Sequence, residues 1–134
     1  MRFEQAVTFV YTDDLERSAA FYGDRLGLRL VLDQGACRIF EAAPNAFIGA
    51  CRRGRRSPSP DGVILTLVTQ DVDGWYERLK AQGLSIDRPP KANPEFGIYH
   101  FFVEDPEGYL IEIQRFDSPD WPAAVQGPVC STST

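Results

Sequence analysis

The chain contains an internal repeat, and that limits its possible folds more than any other feature. VTFVYTDDLERSAAFYGDRLG (7–27) and ILTLVTQDVDGWYERLKAQG (64–83) run in one order: a β-rich apolar segment, an Asp, a helical pattern, then Gly. Asp14 and Asp71 stand 57 positions apart, and the same offset carries Val7 onto Ile64 and Val10 onto Leu67. In the first copy Leu15, Ala19, Tyr22 and Leu26 recur at helical spacing and share one face; in the second the stripe is Val72, Trp75, Tyr76 and Leu79. Asp13 followed by Glu16 reads as a capping box with Asp in place of Ser or Thr, and Gly27 as the C-terminal cap. Asp71 or Gln70 opens the second helix and Gly83 closes it. Gly74 weakens its first turn by up to about 1 kcal/mol relative to Ala.

Three short apolar segments follow each helix. In the first half they are LRLVLD (28–33), ACRIFEA (36–42) and AFIGACR (46–52); in the second, LSIDR (84–88), GIYHFFVE (97–104) and GYLIEIQRF (108–116). Asp105-Pro106-Glu107-Gly108 places Pro second and Gly fourth, which suits a type I turn, so the last two segments read as a hairpin. Each half is then strand–helix–strand–strand–strand. The expected architecture is α+β: two βαβββ modules whose curved, mostly antiparallel sheets surround a cleft. The 134 residues fit one domain. Module 1 covers about 3–52, a Pro- and Gly-containing polar linker 53–61, module 2 about 62–116, and an irregular tail 117–134. Trp121 in that tail is expected to dock on the body. Each half is near the lower size limit for folding alone, so packing between halves, or a dimer, is expected.

The net charge of −5 argues against a general nucleic-acid or anionic-membrane partner. Arg52, Arg53, Arg55 and Arg56 form a local exception, readable as a solvated basic loop or a small anion site. No apolar run approaches the roughly 20 residues of a membrane span, and the N-terminus lacks a cleavable signal pattern. The three cysteines, Cys37, Cys51 and Cys130, match neither a zinc site nor a disulfide framework. They are expected to be reduced thiols in a cytoplasmic protein, with Cys37 and Cys51 as buried small hydrophobes on strands.

The duplicated βαβββ order resembles the vicinal oxygen chelate superfamily, which includes glyoxalases, bleomycin-resistance proteins and extradiol dioxygenases. Three phrases carry the likeness: DLERSAAFYGDRLGL for the family's first helix, DVDGWYERLKAQG for its second, and FFVEDPEGYLIEIQ for its closing hairpin. The resemblance spans roughly residues 3 to 116. It implies a cleft where inward side chains converge and, in the metalloenzymes, a divalent ion that stabilises developing oxyanion charge.

Tested residue by residue, that metal site is incomplete. The family's first-strand ligand falls at Val7 and its counterpart in the second module at Ile64, and an aliphatic side chain has no lone pair to give. AFIGAC offers no carboxylate. Only Glu112, in the closing strand, matches a family ligand; a rescue would need Glu41 or His100, the single histidine, at unusual positions. No metal or other cofactor is therefore expected. Glu112 reads either as a residual carboxylate at the cleft edge or as a ligand-facing acceptor or general base. His100 reads as a structural imidazole, or as a proton-transfer partner of Glu112 if hairpin register turns both to the same face. The catalytic candidates are Glu112 and His100.

Aromatic residues on the strands, backed by an Asn93–Gly97 loop that resembles the family's mobile cleft-mouth loop, give the ligand-binding candidates. From the first module these are Phe9, Tyr11, Phe40 and Phe47. From the second they are Phe96, Tyr99 and Phe101, together with Glu112. A cleft of this kind suits flat or amphipathic molecules. The leading expectation is a metal-free, homodimeric binding protein that sequesters an aromatic or amphipathic natural product or drug. The alternative is a divergent lyase, isomerase or dioxygenase of the superfamily, metal-dependent or using Glu112 and His100 as acid and base.

Overall fold

A computed structural model of the protein describes residues 1, 3–53, 60 and 63–122. The chain divides into two compact units, each with one helix on one four-stranded sheet.

The first unit runs β1 (Ala6–Thr12), α1 (Leu15–Ala20), a π-helical stretch (Phe21–Arg25), β2 (Arg29–Asp33), β3 (Cys37–Ala43) and β4 (Ala46–Arg52). Its sheet order is β1-β4-β3-β2, with β1 parallel to β4 and the other two pairs antiparallel. Leu15, Ala19, Tyr22 and Leu26 are all buried, as their spacing requires, against Val10, Phe40, Ile48 and Ala50 of the sheet's inner face. Tyr22 is fully buried, its ring 6.3 Å from that of Phe40. The helix does not stay α-helical through that stripe: from Phe21 it widens to the π form, an insertion that apolar periodicity does not register. Its cap also differs from expectation. Asp14, not Asp13, accepts the Arg17 amide at 3.1 Å, while Asp13 pairs with Arg53 and Glu16 with Arg38.

The second unit runs β5 (Ile64–Val68), α2 (Val72–Ala81), β6 (Lys91–Asn93), β7 (Ile98–Glu104) and β8 (Leu110–Phe116), in the order β5-β8-β7-β6. Again the first and last strands are parallel and the others antiparallel. Val72 and Leu79 of α2 are buried over Leu65, Phe101, Ile111 and Ile113. Asp71 is the N-cap, accepting the Gly74 amide at 3.0 Å. A Cβ at Gly74 would lie 2.2 Å from that carboxylate, so the glycine makes room for the cap. Gly27 and Gly83 both take positive φ past the helix ends, as C-terminal caps do. The β7–β8 turn closes through the Gly108 amide to the Asp105 carbonyl at 3.0 Å, and the buried Asp105 carboxylate accepts the Glu107 and Tyr109 amides.

Two expectations are corrected. LSIDR (84–88) is not a strand; β6 begins at Lys91. Pro89 and Pro90 have no amide hydrogen to give a ladder, so pairing resumes only after them. Nor are Cys37 and Cys51 free thiols: they form a disulfide. They are direct cross-strand partners in β3 and β4, with Cα atoms 4.1 Å apart, a pairing that a separation of 14 in sequence does not announce. Reduced thiols therefore no longer argue for a cytoplasmic location. Cys130, Arg55, Arg56 and most of the expected linker lie outside the described residues. Trp121 does dock, stacked on Phe116 with ring centroids 3.7 Å apart. Among the described residues no helix is long and apolar enough to cross a membrane.

Candidate functional site

Strand alternation divides the side chains of the second sheet between two faces. Leu65, Ile111, Ile113, Phe101 and Val103 turn toward α2. Thr66, Glu112, Gln114, His100 and Phe102 share the other face, in a register that pairs Thr66 with Glu112, Phe102 with Glu112 and His100 with Gln114. His100 and Glu112 are therefore diagonal neighbours on one face, and their side chains meet: His100 Nδ1 lies 2.6 Å from Glu112 Oε2.

Glu112 is the centre of a small acceptor hub. Thr66 Oγ1 donates to Oε1 at 2.8 Å. With the Gln114 amide oriented so that both groups are satisfied, its nitrogen lies 2.8 Å from Oε2 and 3.2 Å from Oε1. The Glu112 and His100 side chains are only 12% and 18% exposed, and Gln114 is buried. The carboxylate is thus surrounded by donors from three strands. In neutral His100 the Nδ1 hydrogen then donates to Glu112, which leaves Nε2 as the free nitrogen.

His100 also lines a cleft of about 670 Å³. The apolar part of its wall includes Leu84, Phe102 and Leu110; the charged part includes Arg88, Lys91 and Glu104. Phe102 stands edge-on to the imidazole, with centroids 5.1 Å apart. The loop after α2 that was expected to be a strand supplies one side of this cleft, from Leu84 to Pro89.

The expected ligand-binding aromatics do not gather there. Phe101 borders the cleft, but its ring is buried against Tyr76 of α2, with centroids 5.5 Å apart. Tyr99 is on the same helix-facing side, where its hydroxyl donates to Asp73 at 2.5 Å and the Arg115 guanidinium sits over its ring. The Asp73 hydrogen bond, with desolvation, raises the Tyr99 pKa above the ordinary phenol value. Phe96 is exposed on the turn between β6 and β7.

In the first unit Phe40 is a core residue under Tyr22. Phe9, Tyr11 and Phe47 do share the sheet face turned away from the helix, with Val7 and Gly49. There the Phe9 ring covers Gly49: a Cβ at Gly49 would be 2.6 Å from two ring carbons. The offset of 57 carries Phe9 onto Thr66. The Phe9–Gly49 pair thus occupies the place in the first sheet that Thr66–Glu112 occupies in the second.

These residues do not fit a chelated divalent ion. Val7 and Ile64 have no donor atom. Glu41 is ion-paired with Arg29 at 3.2 Å, and the lone pairs of Glu112 are taken by Thr66, His100 and Gln114. Among the described residues no group of three or more His, Cys, Asp or Glu side chains converges.

Sequence reading missed Thr66, Gln114, Lys91 and Phe102. Three of them were within reach. Gln114 and Phe102 are two residues from Glu112 and His100, and Thr66 is two from Ile64, so alternation alone places them on the same faces. Lys91 needed the corrected position of β6.

A βαβββ unit that occurs twice, its first and last strands paired in parallel, defines the class of fold. The chain belongs to the Glyoxalase/Bleomycin resistance protein/Dioxygenase superfamily, whose model matches residues 4–113. It is 27% identical over 128 residues to the lactoylglutathione lyase GLX1 of Arabidopsis thaliana, covering 80% of this chain and 42% of that protein; it thus spans less than half of that relative. Among solved structures, a glyoxalase-related enzyme from Fulvimarina pelagi is similar at TM-score 0.73 and 27% identity, with 96% of this chain and 97% of that one covered. A glyoxalase/bleomycin resistance protein/dioxygenase from Nocardioides also gives TM-score 0.73, at 22% identity, covering 94% and 91%.

Proposed function

We propose that the protein binds a small, flat or amphipathic organic molecule in the cleft beside β7 without a metal ion. The His100–Glu112 pair is its polar anchor. The observation that carries this reading is the state of Glu112. In a metal site its carboxylate would present open lone pairs; here three side chains from β5, β7 and β8 use them. The imidazole held by that carboxylate faces a cleft large enough for a drug-sized ligand.

A second reading is favoured by the same pair. A carboxylate on Nδ1 leaves Nε2 of neutral His100 able to take a proton from a bound substrate, while Glu112 stabilises the imidazolium that forms. That is the acid–base version of the superfamily's lyase and isomerase chemistry, with the chain's own residues moving the proton.

His100 is the chain's single histidine, so its ring protons report on the cleft with no overlap from other imidazoles. The test is to titrate a panel of aromatic compounds into the purified protein, follow those signals, and measure metal content by elemental analysis. Binding at sub-stoichiometric metal, with affinity altered in Glu112→Ala, supports the reading. Stoichiometric iron, zinc, nickel or manganese, lost in Glu112→Ala, would overturn it. Exchange of a ligand C–H for solvent deuterium that stops in His100→Gln would favour the second reading. Superfamily members often pair, and we extend the proposal to a homodimer, expected at twice the 15.0 kDa chain mass in light scattering.

A further inference from the structure

The cleft of the second unit is charge-polarised along one strand. His100, Phe102 and Glu104 alternate along β7 on the same face, and all three line the cleft. Lys91 of β6 is the direct cross-strand partner of His100 and lines the cleft beside it. Directly opposed residues on a sheet face have Cβ atoms about 5 Å apart. Arg88, three residues before Lys91, is part of the same wall. Among the described residues neither Arg88 nor Lys91 has an ion-pair partner.

Two acidic residues line the cleft as well, and their positions matter. Asp87 adjoins Arg88 on the loop and offsets one positive charge there. Glu104 lies four residues beyond His100, about 13 Å along the strand, opposite Leu110. Phe102 lies between the two ends. Glu112 is not part of the cleft wall; its carboxylate is engaged by Thr66, Gln114 and His100.

On the reading of this cleft as a binding site, we infer that its ligand is a small aromatic carboxylate. The carboxylate sits at the Lys91–His100 end, held by Lys91 and by Arg88. The flat apolar body lies along Phe102 toward Leu110. Glu104 repels a second anionic group at the far end, so it sets the ligand's direction and selects against dicarboxylates.

Three probes of one shape and different charge test this: 2-naphthoate, 2-naphthalenemethanol and 2-naphthylmethylamine, titrated at fixed ionic strength with the His100 ring signals as readout. Arg88→Gln/Lys91→Gln changes two exposed side chains. In the unmodified protein 2-naphthoate is expected to bind about tenfold or more tighter than the alcohol, a difference on the order of one good charge contact. The double variant should lose that preference, so that 2-naphthoate and the alcohol bind alike. If the alcohol or the amine shifts His100 at the same concentrations as 2-naphthoate, or the double variant retains the preference, the anion assignment is wrong while the cleft remains a binding site. If none of the three probes moves the His100 signals, the reading of the cleft as a binding site falls and takes this inference with it.

Discussion

His100 Nδ1 and Glu112 Oε2 lie 2.6 Å apart across the β7–β8 hairpin, and Thr66 and Gln114 complete the carboxylate's hydrogen bonds. The two residues are not register partners: His100 faces Gln114, and Glu112 faces Phe102. The contact is diagonal, so both side chains must reach along the strand and be held there.

Glu112 should therefore contribute to stability as well as to any ligand. Glu112→Ala leaves the buried Gln114 amide and the His100 Nδ1–H without their acceptor, and an unsatisfied buried polar group costs about 1–3 kcal/mol. Glu112→Gln keeps one acceptor oxygen and should cost less. Urea unfolding at neutral pH checks the order: unmodified protein, then Gln, then Ala. Equal midpoints for all three would show that the hub is solvated and not held.

The fold was legible and the site only half so, and the reason is periodicity. The offset of 57 and the two Asp-helix-Gly phrases are local signals, and they delivered the duplicated modules, both helices and the closing turn. Which face a strand residue occupies depends on a register set by hydrogen bonds to a partner far away in sequence. Glu112 and His100 could be singled out by chemistry, but their meeting could not. Phe40 lies one step out of phase with the open face of its sheet and packs under a helix, a placement that register sets in the same way. The Cys37–Cys51 pairing is likewise a property of β3–β4 register.

The Tyr99–Asp73 hydrogen bond predicts a specific alkaline behaviour. Hydrogen bonding to Asp73 and desolvation raise the Tyr99 pKa, and Arg115 opposes this only in part. A folded-state pKa above the unfolded one means that stability is fully present below the ordinary phenol pKa and is lost as pH rises through the folded value. Tyr99→Phe should be less stable than the parent near neutrality, and the gap should close at strongly alkaline pH. Absorbance of phenolate against pH, parent minus Tyr99→Phe, should show one tyrosine that ionises late; an early-titrating Tyr99 would contradict the assignment.

On the acid side the exposed Glu16–Arg38 pair gives the opposite sign. Arg38 holds the Glu16 carboxyl below its ordinary pKa. A depressed carboxyl stabilises the fold above its unfolded pKa and loses that contribution as pH falls through the folded value. Glu16→Gln should thus be less stable than the parent at neutral pH and match it in strong acid. Because both groups meet solvent, added salt should shrink the neutral-pH difference. A difference that persists unchanged in strong acid would mean the substitution acts through something other than charge.

Phe9 and Gly49 show how the first sheet closes the position that the second keeps polar. The ring lies where a side chain on residue 49 would project, so Gly49→Ala must displace it or shift β4. The expected cost is that of overpacking, about 1–3 kcal/mol. Pairing the substitution with Phe9→Ala, which removes the obstructing ring, should recover part of it. The double-mutant cycle checks this by coupling energy: a value near zero would show that ring and glycine do not meet.

The Cys37–Cys51 disulfide closes the β3–β4 hairpin. In the chain-entropy picture a loop of about 15 residues restricts the unfolded state by about 3 kcal/mol. Under denaturing conditions iodoacetamide should label no more than one of the three cysteines before reduction and all three after it; intact mass counts them directly. Reduction, or Cys37→Ala/Cys51→Ala, should lower the urea midpoint while the hairpin's backbone pairing is retained, because β4 is also held on its other edge by β1. Three reactive thiols in protein kept under native, non-reducing conditions would show that the two strands meet without the covalent bond. That outcome would restore the reducing-compartment argument that the disulfide now removes.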